Sequence, residues 1–286
     1  MKSICAVQPW IRIVHDPAHH FNDFCLFRAH DNRWHCIGIQ GDGTWKSETS
    51  FFHASSDELH GEYSLHEPLL CELEQGETHN DAPQKHAPFV VEKDGVYHLF
   101  FRRPYGTNLV LQSHDLFQWP RTPRVLFEEN DARDVCIQNF DGVYHYYYCQ
   151  WMKVDGVGRA CIALRRSDDL EKWSEATAVH VDTSVESEHC HLESPFVIRW
   201  KEEYLLFVRN RHLEEKCVTT VFVSNQPDRF ASGESAWDFE IENVHAPEIV
   251  ECDGKFHIAR VSGPPDHLPC APRQGGYIEL TELVIE

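Results

Sequence analysis

The hydrophobic and aromatic residues of this chain come in pairs of short runs, joined by polar turns. Five such pairs are "NDFCLFRAHDNRWHCIGIQ" from Asn22, "HAPFVVEKDGVYHLFFRR" from His86, "RDVCIQNFDGVYHYYYCQ" from Arg133, "ESPFVIRWKEEYLLFVRN" from Glu193 and "HAPEIVECDGKFHIARVSG" from His245. Three of them join at Asp-Gly, at positions 94–95, 141–142 and 253–254. A tight hairpin turn needs positive φ at both central residues, which Asp and Gly tolerate. The pattern predicts five antiparallel hairpins, with Asp31-Asn32 and Lys201-Glu202 as weaker turns.

A second polar element follows several of the hairpins and sets a period. It reads "SSDEL" at Ser55, "SHDLFQW" at Ser113, "SDDLEKW" at Ser167 and, less regularly, "SNQPDRF" at Ser224. Ser and Asp close local turns through their side chains, and the aromatic end is expected to pack under the sheet. Asp115, Asp169 and Asp228 are 54 and 59 residues apart. Five units of this length fill the chain, which is typical of a propeller of four-stranded blades.

The two ends of the chain carry the strands expected to close the ring. The tail "GGYIELTELVIE" alternates polar and apolar residues, and "WIRIV" at Trp10 is a further apolar run. We therefore predict an all-β, five-bladed β-propeller that forms one domain over residues 1–286, with almost no helix. A two-sheet sandwich is the structural alternative.

The net charge limits the kinds of partner that the protein can bind, and the cysteine content indicates its cellular compartment. The formal net charge of -20 argues against nucleic acid, an anionic membrane surface or an acidic polymer as partner, unless arginines collect in one pocket. The N-terminus has no apolar run of signal-peptide length, and no stretch approaches a membrane-spanning helix. The 11 cysteines are odd in number and lack a CxxC pair, which indicates buried free thiols in a reducing, cytoplasmic setting.

The candidate chemistry lies where the first strand of each hairpin begins, because these starts converge on the axis of a propeller. The starts are polar or ionisable: His20 to Asp23, His86, Arg133-Asp134, His191 to Glu193, and His245. Buried carboxylates are costly unless they are paired, so stability alone does not explain them. Two or three carboxylates around a narrow pocket suit glycoside hydrolysis, which needs one acid to protonate the leaving oxygen and one carboxylate to attack or activate water.

At these positions the chain resembles the five-bladed propellers of glycoside hydrolase families 43 and 32 and their relatives. Asp23 in "FNDF" and Asp134 in "ARDV" resemble the W-x-N-D-P and R-D-P motifs of family 32, and Glu193 in "ESP" resembles the E-x-P of family 43. Phe24 and Val135 stand where the family has proline. The resemblance implies Asp23 as base or nucleophile, Asp134 as stabiliser of the charged sugar and Glu193 as general acid, with His191 in reserve as the acid.

The same resemblance implies an activity and a set of contacts. The expected substrate is a short oligosaccharide. Cleavage is expected to be exo-acting, at a furanoside or related sugar, as in arabinofuranosidases and fructofuranosidases. The expected substrate-binding residues are Asn22, His53, His86, Arg133, His191 and His245. No cofactor is expected to be required, although a calcium or sodium ion or a water could lie at the axis near His245. A transition metal on His189, His191 and Glu193 is a weaker reading, and Glu248 is assigned a structural or substrate-binding role.

Several alternatives stay open on the sequence. Four arginines late in second strands, Arg102, Arg103, Arg209 and Arg260, are expected in ion pairs unless one enters the pocket and binds a substrate carboxylate or sulfate. Trp34, Trp45 and Trp151 could stack on a sugar ring or pack the blades. The competing functions are a propeller that binds carbohydrate or a protein without turnover, and a glycoside phosphorylase on the same fold, which needs a basic phosphate site beside the acids.

Overall fold

The computed structural model describes residues 2–70, 84–184, 186–210, 217–233, 237–262 and 275–286. These residues form five antiparallel sheets, and no α-helix occurs among them. Two short 3-10 turns, Trp45–Ser47 and Pro104–Gly106, lie between strands. None of the described segments is a helix long and apolar enough to cross a membrane.

Each sheet is one blade, and its strands run in order from the axis outwards. Blade I holds β3 (His20–Arg28), β4 (Trp34–Gly41), β5 (Ser50–Ser56) and β6 (Ser64–Leu65). Blade II holds β7 (His86–Lys93), β8 (Val96–Arg103), β9 (Thr107–Ser113) and β10 (Arg124–Glu128). Blade III holds β11 (Arg133–Phe140), β12 (Val143–Val154), β13 (Val157–Ser167) and β14 (Thr177–Asp182). Blade IV holds β15 (Leu192–Trp200), β16 (Glu203–Asn210), β17 (Val218–Ser224) and β18 (Phe239–Glu242).

Blade V joins the two ends of the chain. From the axis outwards, its strands are β19 (Glu248–Cys252), β20 (Lys255–Ser262) and β21 (Tyr277–Ile285). Two strands from the N-terminus, β1 (Ile4–Ala6) and β2 (Ile11–His15), both pair with β21. The inner strands contact one another in the order β3, β7, β11, β15, β19, and β19 contacts β3 again. The ring is therefore closed, and the predicted five-bladed β-propeller with strands from both termini at the closure is confirmed.

The hairpin turns have the predicted backbone. Asp94, Asp141 and Asp253 have φ of 52°, 55° and 52°, and the glycines that follow them are also positive. Lys201, in the weaker fourth turn, adopts φ of 56° as well. The Ser-Asp turns also form as expected, since the Asp169 carboxylate accepts the backbone N–H groups of Glu171 and Lys172 at 2.8 Å.

The core fills the spaces between neighbouring blades. Strand β12 carries three consecutive tyrosines, Tyr146, Tyr147 and Tyr148, and all are fully buried. Each phenol donates a hydrogen bond to a neighbouring segment, as a buried tyrosine hydroxyl must: to Asn108, to the carbonyl of Pro227 and to Glu129. The nine described cysteines form no disulfide, and seven of them are buried. A rigid ring of packed sheets therefore holds the inner strands around the axis.

Candidate active site

The inner strands enter the axis through one repeated backbone device. The pairing of β7 with β8, β11 with β12 and β15 with β16 shifts at the start of the inner strand, which marks a β-bulge. At this place Ala87, Asp134 and Ser194 have φ of 48°, 60° and 49°, and Ala246 just ahead of β19 has φ of 49°. Bulges bend a strand and redirect its side chains, and they are frequent beside active sites. Strand β3 also shifts register, between Phe21 and Phe24.

Ser194 joins the three predicted acids. Its backbone N–H donates to Asp134 Oδ2 at 3.1 Å, and its hydroxyl donates to Asp23 Oδ1 at 3.4 Å. Glu193 is the residue next to it, and the charge of Glu193 acts on Asp23. The structure therefore brings Asp23, Asp134 and Glu193 together at one end of the axis, although they are 111 and 59 residues apart in the chain.

Two arginines hold Glu193, a contact that the sequence did not predict. Arg209 on β16 donates to Glu193 Oε2, and Arg133 Nη2 lies 3.7 Å from its other oxygen, Oε1. Arg133 is itself fixed by Asp131 at 2.7 Å and by the carbonyls of Cys190 and Leu192, and its Nε lies 3.5 Å from Asp134 Oδ2. Both oxygens of Glu193 thus face guanidinium groups.

Asp23 lies in surroundings that raise its pKa. Burial raises the pKa of Asp23 well above its usual value, and the negative charges of Asp134, Glu193 and Glu48 raise it further. The Arg102 guanidinium acts in the opposite direction.

Glu48 organises the neighbouring wall and was not predicted from the sequence. It is 2% exposed in the loop between β4 and β5, and its oxygens lie 3.2 Å from His20 Nε2 and 3.1 Å from His86 Nε2. Asn22 Nδ2 donates to it at 3.3 Å, and Asn22 Oδ1 lies 3.1 Å from His245 Nε2. Burial pushes the pKa of Glu48 up, but hydrogen bonds from His20 and His86 outweigh it and bring the pKa to about 2.

Three of the expected substrate contacts, Asn22, His86 and His245, thus lie on one network around Glu48. His20 is the best-defined member, because the Gly43 N–H donates to its Nδ1 at 2.7 Å. The ring proton of neutral His20 therefore sits on Nε2 and points to Glu48. No pattern in the sequence singles out Glu48, which lies in a polar loop, "KSETS".

The structure does not bring His53 or His191 into this group. His53 is fully buried within blade I, 2.9 Å from His35 Nδ1 and packed against His66 and Phe117. Its expected place on the pocket wall is wrong, because β5 is the third strand from the axis. His191 lies 2.7 Å from Asp182 at the outer strand of blade III, and His189 is exposed, so the two do not share a face with Glu193.

Glu248 lies in the axial cavity beside the acids. The cavity is lined by Asp23, Asp134, Ser194 and Glu248 together with prolines and alanines of the bulges, and its volume of about 20 Å³ has room for about one water. Burial raises the pKa of Glu248 well above its usual value, and its carboxyl accepts the Leu26 N–H at 3.4 Å. A calcium ion takes six to eight oxygens. Among the described residues, no group of three acidic, histidine or cysteine side chains is arranged to hold a metal ion.

The remaining arginine and tryptophan candidates lie in different parts of the molecule. Arg260 pairs with Glu279 and stacks on Trp10, so it belongs to the closure of blade V. Trp34 is buried in the core, and Trp151 donates to the Ser187 carbonyl. Trp45 is 54% exposed in the loop that carries Glu48, at the same end of the ring as His20. Among the three tryptophans, Trp45 is the one exposed at the pocket end.

Comparisons with known proteins agree on the architecture. No protein-family model matches the sequence, and no curated protein matches it significantly. Among solved structures, a thermostable family-43 glycoside hydrolase is 15% identical with a TM-score of 0.66, over 94% of this chain and 91% of that one. A family-43 β-xylosidase/α-arabinofuranosidase from a compost microbial metagenome, in a calcium-free complex with xylotriose, is 15% identical with a TM-score of 0.64, over 97% and 98%. The catalytic domain of a family-62 α-L-arabinofuranosidase from Coprinopsis cinerea is 13% identical with a TM-score of 0.67, over 98% and 96%. The chain therefore has the five-bladed propeller fold of family 43 and family 62 glycoside hydrolases.

Proposed function

We propose that this protein is a glycoside hydrolase that cleaves short oligosaccharides in the pocket at Asp23, Asp134 and Glu193. The observation that carries the proposal is the hydrogen bonding of Ser194, the neighbour of Glu193 in blade IV, to Asp134 of blade III and Asp23 of blade I. A propeller that only binds sugar or protein needs no such group. The activities of the structural neighbours, with their xylosidases and arabinofuranosidases, support the same class of reaction.

In the proposed mechanism each acid has one role. Asp23 attacks the anomeric carbon or activates a water, and Glu193 protonates the leaving oxygen. Asp134, oriented by the Ser194 N–H and by Arg133, stabilises the positive charge that develops on the sugar ring. Because a base must be ionised, the raised pKa of Asp23 makes activity rise with pH as Asp23 loses its proton.

A second assignment exchanges the roles of Asp23 and Glu193. Arg209 and Arg133 place two positive charges at Glu193, while burial beside other carboxylates favours the protonated form of Asp23. On that assignment Asp23 is the acid and Glu193 the base or nucleophile. The two assignments give opposite results for variants tested with good and poor leaving groups.

The proposal also covers the identity of the substrate, the cellular location and the cofactor requirement. We place a terminal furanoside or related sugar in the pocket, with exo action, because one of the neighbours is an arabinofuranosidase and a second is a β-xylosidase/α-arabinofuranosidase. Asn22, His86 and His245 would contact sugar hydroxyls through the Glu48 network, and Trp45 would stack on a ring. We also propose a cytoplasmic location and a reaction that requires no cofactor.

The test is an activity screen of the full chain on aryl glycosides and natural oligosaccharides, with and without inorganic phosphate. Hydrolysis without phosphate, lost in Asp23→Asn and kept in Asp141→Asn, supports the proposal. Asp141 is a matched control because it lies in an exposed hairpin turn, paired with Arg199. Sugar phosphate formed only in the presence of phosphate would indicate a phosphorylase, and tight binding of oligosaccharide without turnover would indicate a binding propeller.

A further inference from the structure

Arg102 occupies an unusual position beside the three acids. It is the second-last residue of β8 and pairs in register with His86, at the start of the inner strand of blade II. His86 Nε2 lies 3.1 Å from Glu48 in the pocket wall, so this register places Arg102 at the pocket end of β8, and its positive charge acts on Asp134 and Asp23. The side chain is largely buried, and its Nε is fully buried without a hydrogen-bond partner among the described residues.

The other two arginines of the pocket have protein acceptors. Arg133 binds Asp131 and two backbone carbonyls, and Arg209 binds Glu193. The Arg102 side chain, in contrast, makes no hydrogen bond and no ion pair with any described residue. Arginine carries five N–H donors in a planar fork, and a buried donor that finds no acceptor is costly. A group from outside the chain would remove this cost.

The geometry points to an anionic ligand for this fork. We propose that the terminal sugar bound in the pocket is a uronic acid, one of the related sugars and not a neutral furanoside, and that Arg102 binds its carboxylate. This inference rests on the proposed function, because it names the class of sugar that the same pocket accepts. A guanidinium fork matches the two oxygens of a planar carboxylate. On a chain with a net charge of -20, a carboxylate beside Asp134 and Glu193 needs such a counter-charge.

The number of uncommitted cations argues against inorganic phosphate as the ligand. A phosphate dianion carries more charge and more acceptor oxygens than one fork satisfies. Among the described residues around the acids, Arg102 is the one arginine without a protein acceptor. A sugar carboxylate, with one charge and two oxygens, is the ligand that fits.

The experiment measures binding by titration calorimetry on the full chain, with matched acidic and neutral sugars. The pairs are D-galacturonate with D-galactose and D-glucuronate with D-glucose, and galactose 6-sulfate is a further arm. In at least one pair we expect the uronate to bind about tenfold to hundredfold more tightly, the range for a hydrogen bond to a charged group. Arg102→Gln should remove the preference. Arg199→Gln, which removes a surface arginine paired with Asp141, should keep it.

Each alternative outcome overturns the inference. No preference for the uronate in either pair, or no measurable uronate binding, shows that Arg102 serves only the acids. Tighter binding of galactose 6-sulfate than of the uronates overturns the carboxylate assignment. Loss of the preference in Arg199→Gln as well would trace it to bulk charge. Cleavage of neutral aryl glycosides with no uronate preference would leave the proposed function standing while this inference fails.

Discussion

Blades II and V begin their first strands on the same positive-φ position as blades III and IV, yet they carry different chemistry. The residue at positive φ is alanine in blades II and V, Ala87 and Ala246, but Asp134 and Ser194 in blades III and IV. The residue before it is His86 or His245 in the first pair of blades, and Arg133 or Glu193 in the second. The bulge therefore belongs to the fold, and the chemistry depends on which side chain each blade places on it.

The two halves of the pocket also differ in what fixes their side chains. The histidines belong to a network around Glu48, whereas the acids are held by Ser194 and by Arg133 and Arg209. The first half resembles a hydrogen-bonding wall for sugar hydroxyls, and the second resembles a proton-transfer site. Variants on either side should therefore change different observables.

The largest expected effect is on the acid half. With a natural glycoside, whose alkoxide leaves poorly, Glu193→Gln should lower kcat by about 10²–10⁴-fold, because general-acid catalysis is lost. With an aryl glycoside whose phenol leaves without protonation, the loss should be far smaller. Exposed Glu251→Gln on β19 is the control. The exchanged roles are correct if two results occur together. Glu193→Gln must lower kcat equally on both substrates, and Asp23→Asn must keep more activity on the aryl glycoside than on the natural one.

The next effect is on the stability of the histidine half. The pKa of Glu48 falls from 4.5 to about 2 on folding, so the free energy of unfolding gains up to about 3 kcal/mol above pH 4.5. This contribution is lost as the pH falls from 4.5 towards 2. Denaturant unfolding should show Glu48→Gln destabilised near neutral pH, with the gap closing on acidification, and exposed Glu58→Gln unchanged. A gap that does not depend on pH would mean that the Glu48 charge contributes nothing.

Asp23 should behave in the opposite way. Its pKa is raised on folding, so the stability it contributes is present below the unfolded value and is lost as the pH rises through the folded value. Asp23→Asn should therefore unfold at a higher temperature than the wild type near neutral pH, and the two should converge in acid. Thermal unfolding across this pH range is the measurement, with Asp141→Asn as reference. A variant less stable than the wild type at neutral pH would contradict the raised pKa.

The smallest effect concerns the shared bulge. An L-residue at positive φ costs roughly 1–2 kcal/mol, while the greater freedom of glycine in the unfolded chain offsets part of the gain. Ala246→Gly should therefore stabilise the fold by less than about 1 kcal/mol. Ala259→Gly, at a buried position of β20, should destabilise it by about 0.5–1 kcal/mol or more. Equal losses in both variants would show that the bulge is not strained at Ala246.

The sequence predicts the frame of this molecule better than its contacts. Asp-Gly turns and the Ser-Asp repeat are local signals, because one or two residues determine the backbone there, and they predicted five blades. The acids were found for a related reason: strand starts meet at the axis of any propeller. The raised pKa of Asp23 could not be predicted, because it depends on which charged groups the fold places around Asp23.

Four further residues show why the rest could not be predicted. Glu48 lies in an irregular loop, where no period indicates that its side chain turns inwards. His53 alternates along β5 like any strand residue, and the sequence does not show that the third strand stays away from the pocket. Arg102 and Arg260 occupy similar places in their blades, yet one lies beside the acids and the other pairs with Glu279. These contacts depend on tertiary packing.

One assay tests the central claim most directly: hydrolysis of a single glycoside by a set of variants on the inner strands. We expect Asp23→Asn, Asp134→Asn and Glu193→Gln each to lose at least about a hundredfold in kcat/KM on a natural glycoside. Ala87→Ser and Ala246→Ser, which place a hydroxyl on the same bulge in blades II and V, should stay within about tenfold. Activity that survives in the three acid variants, or that falls alike in all five, would contradict the assignment of this pocket as a glycosidase active site.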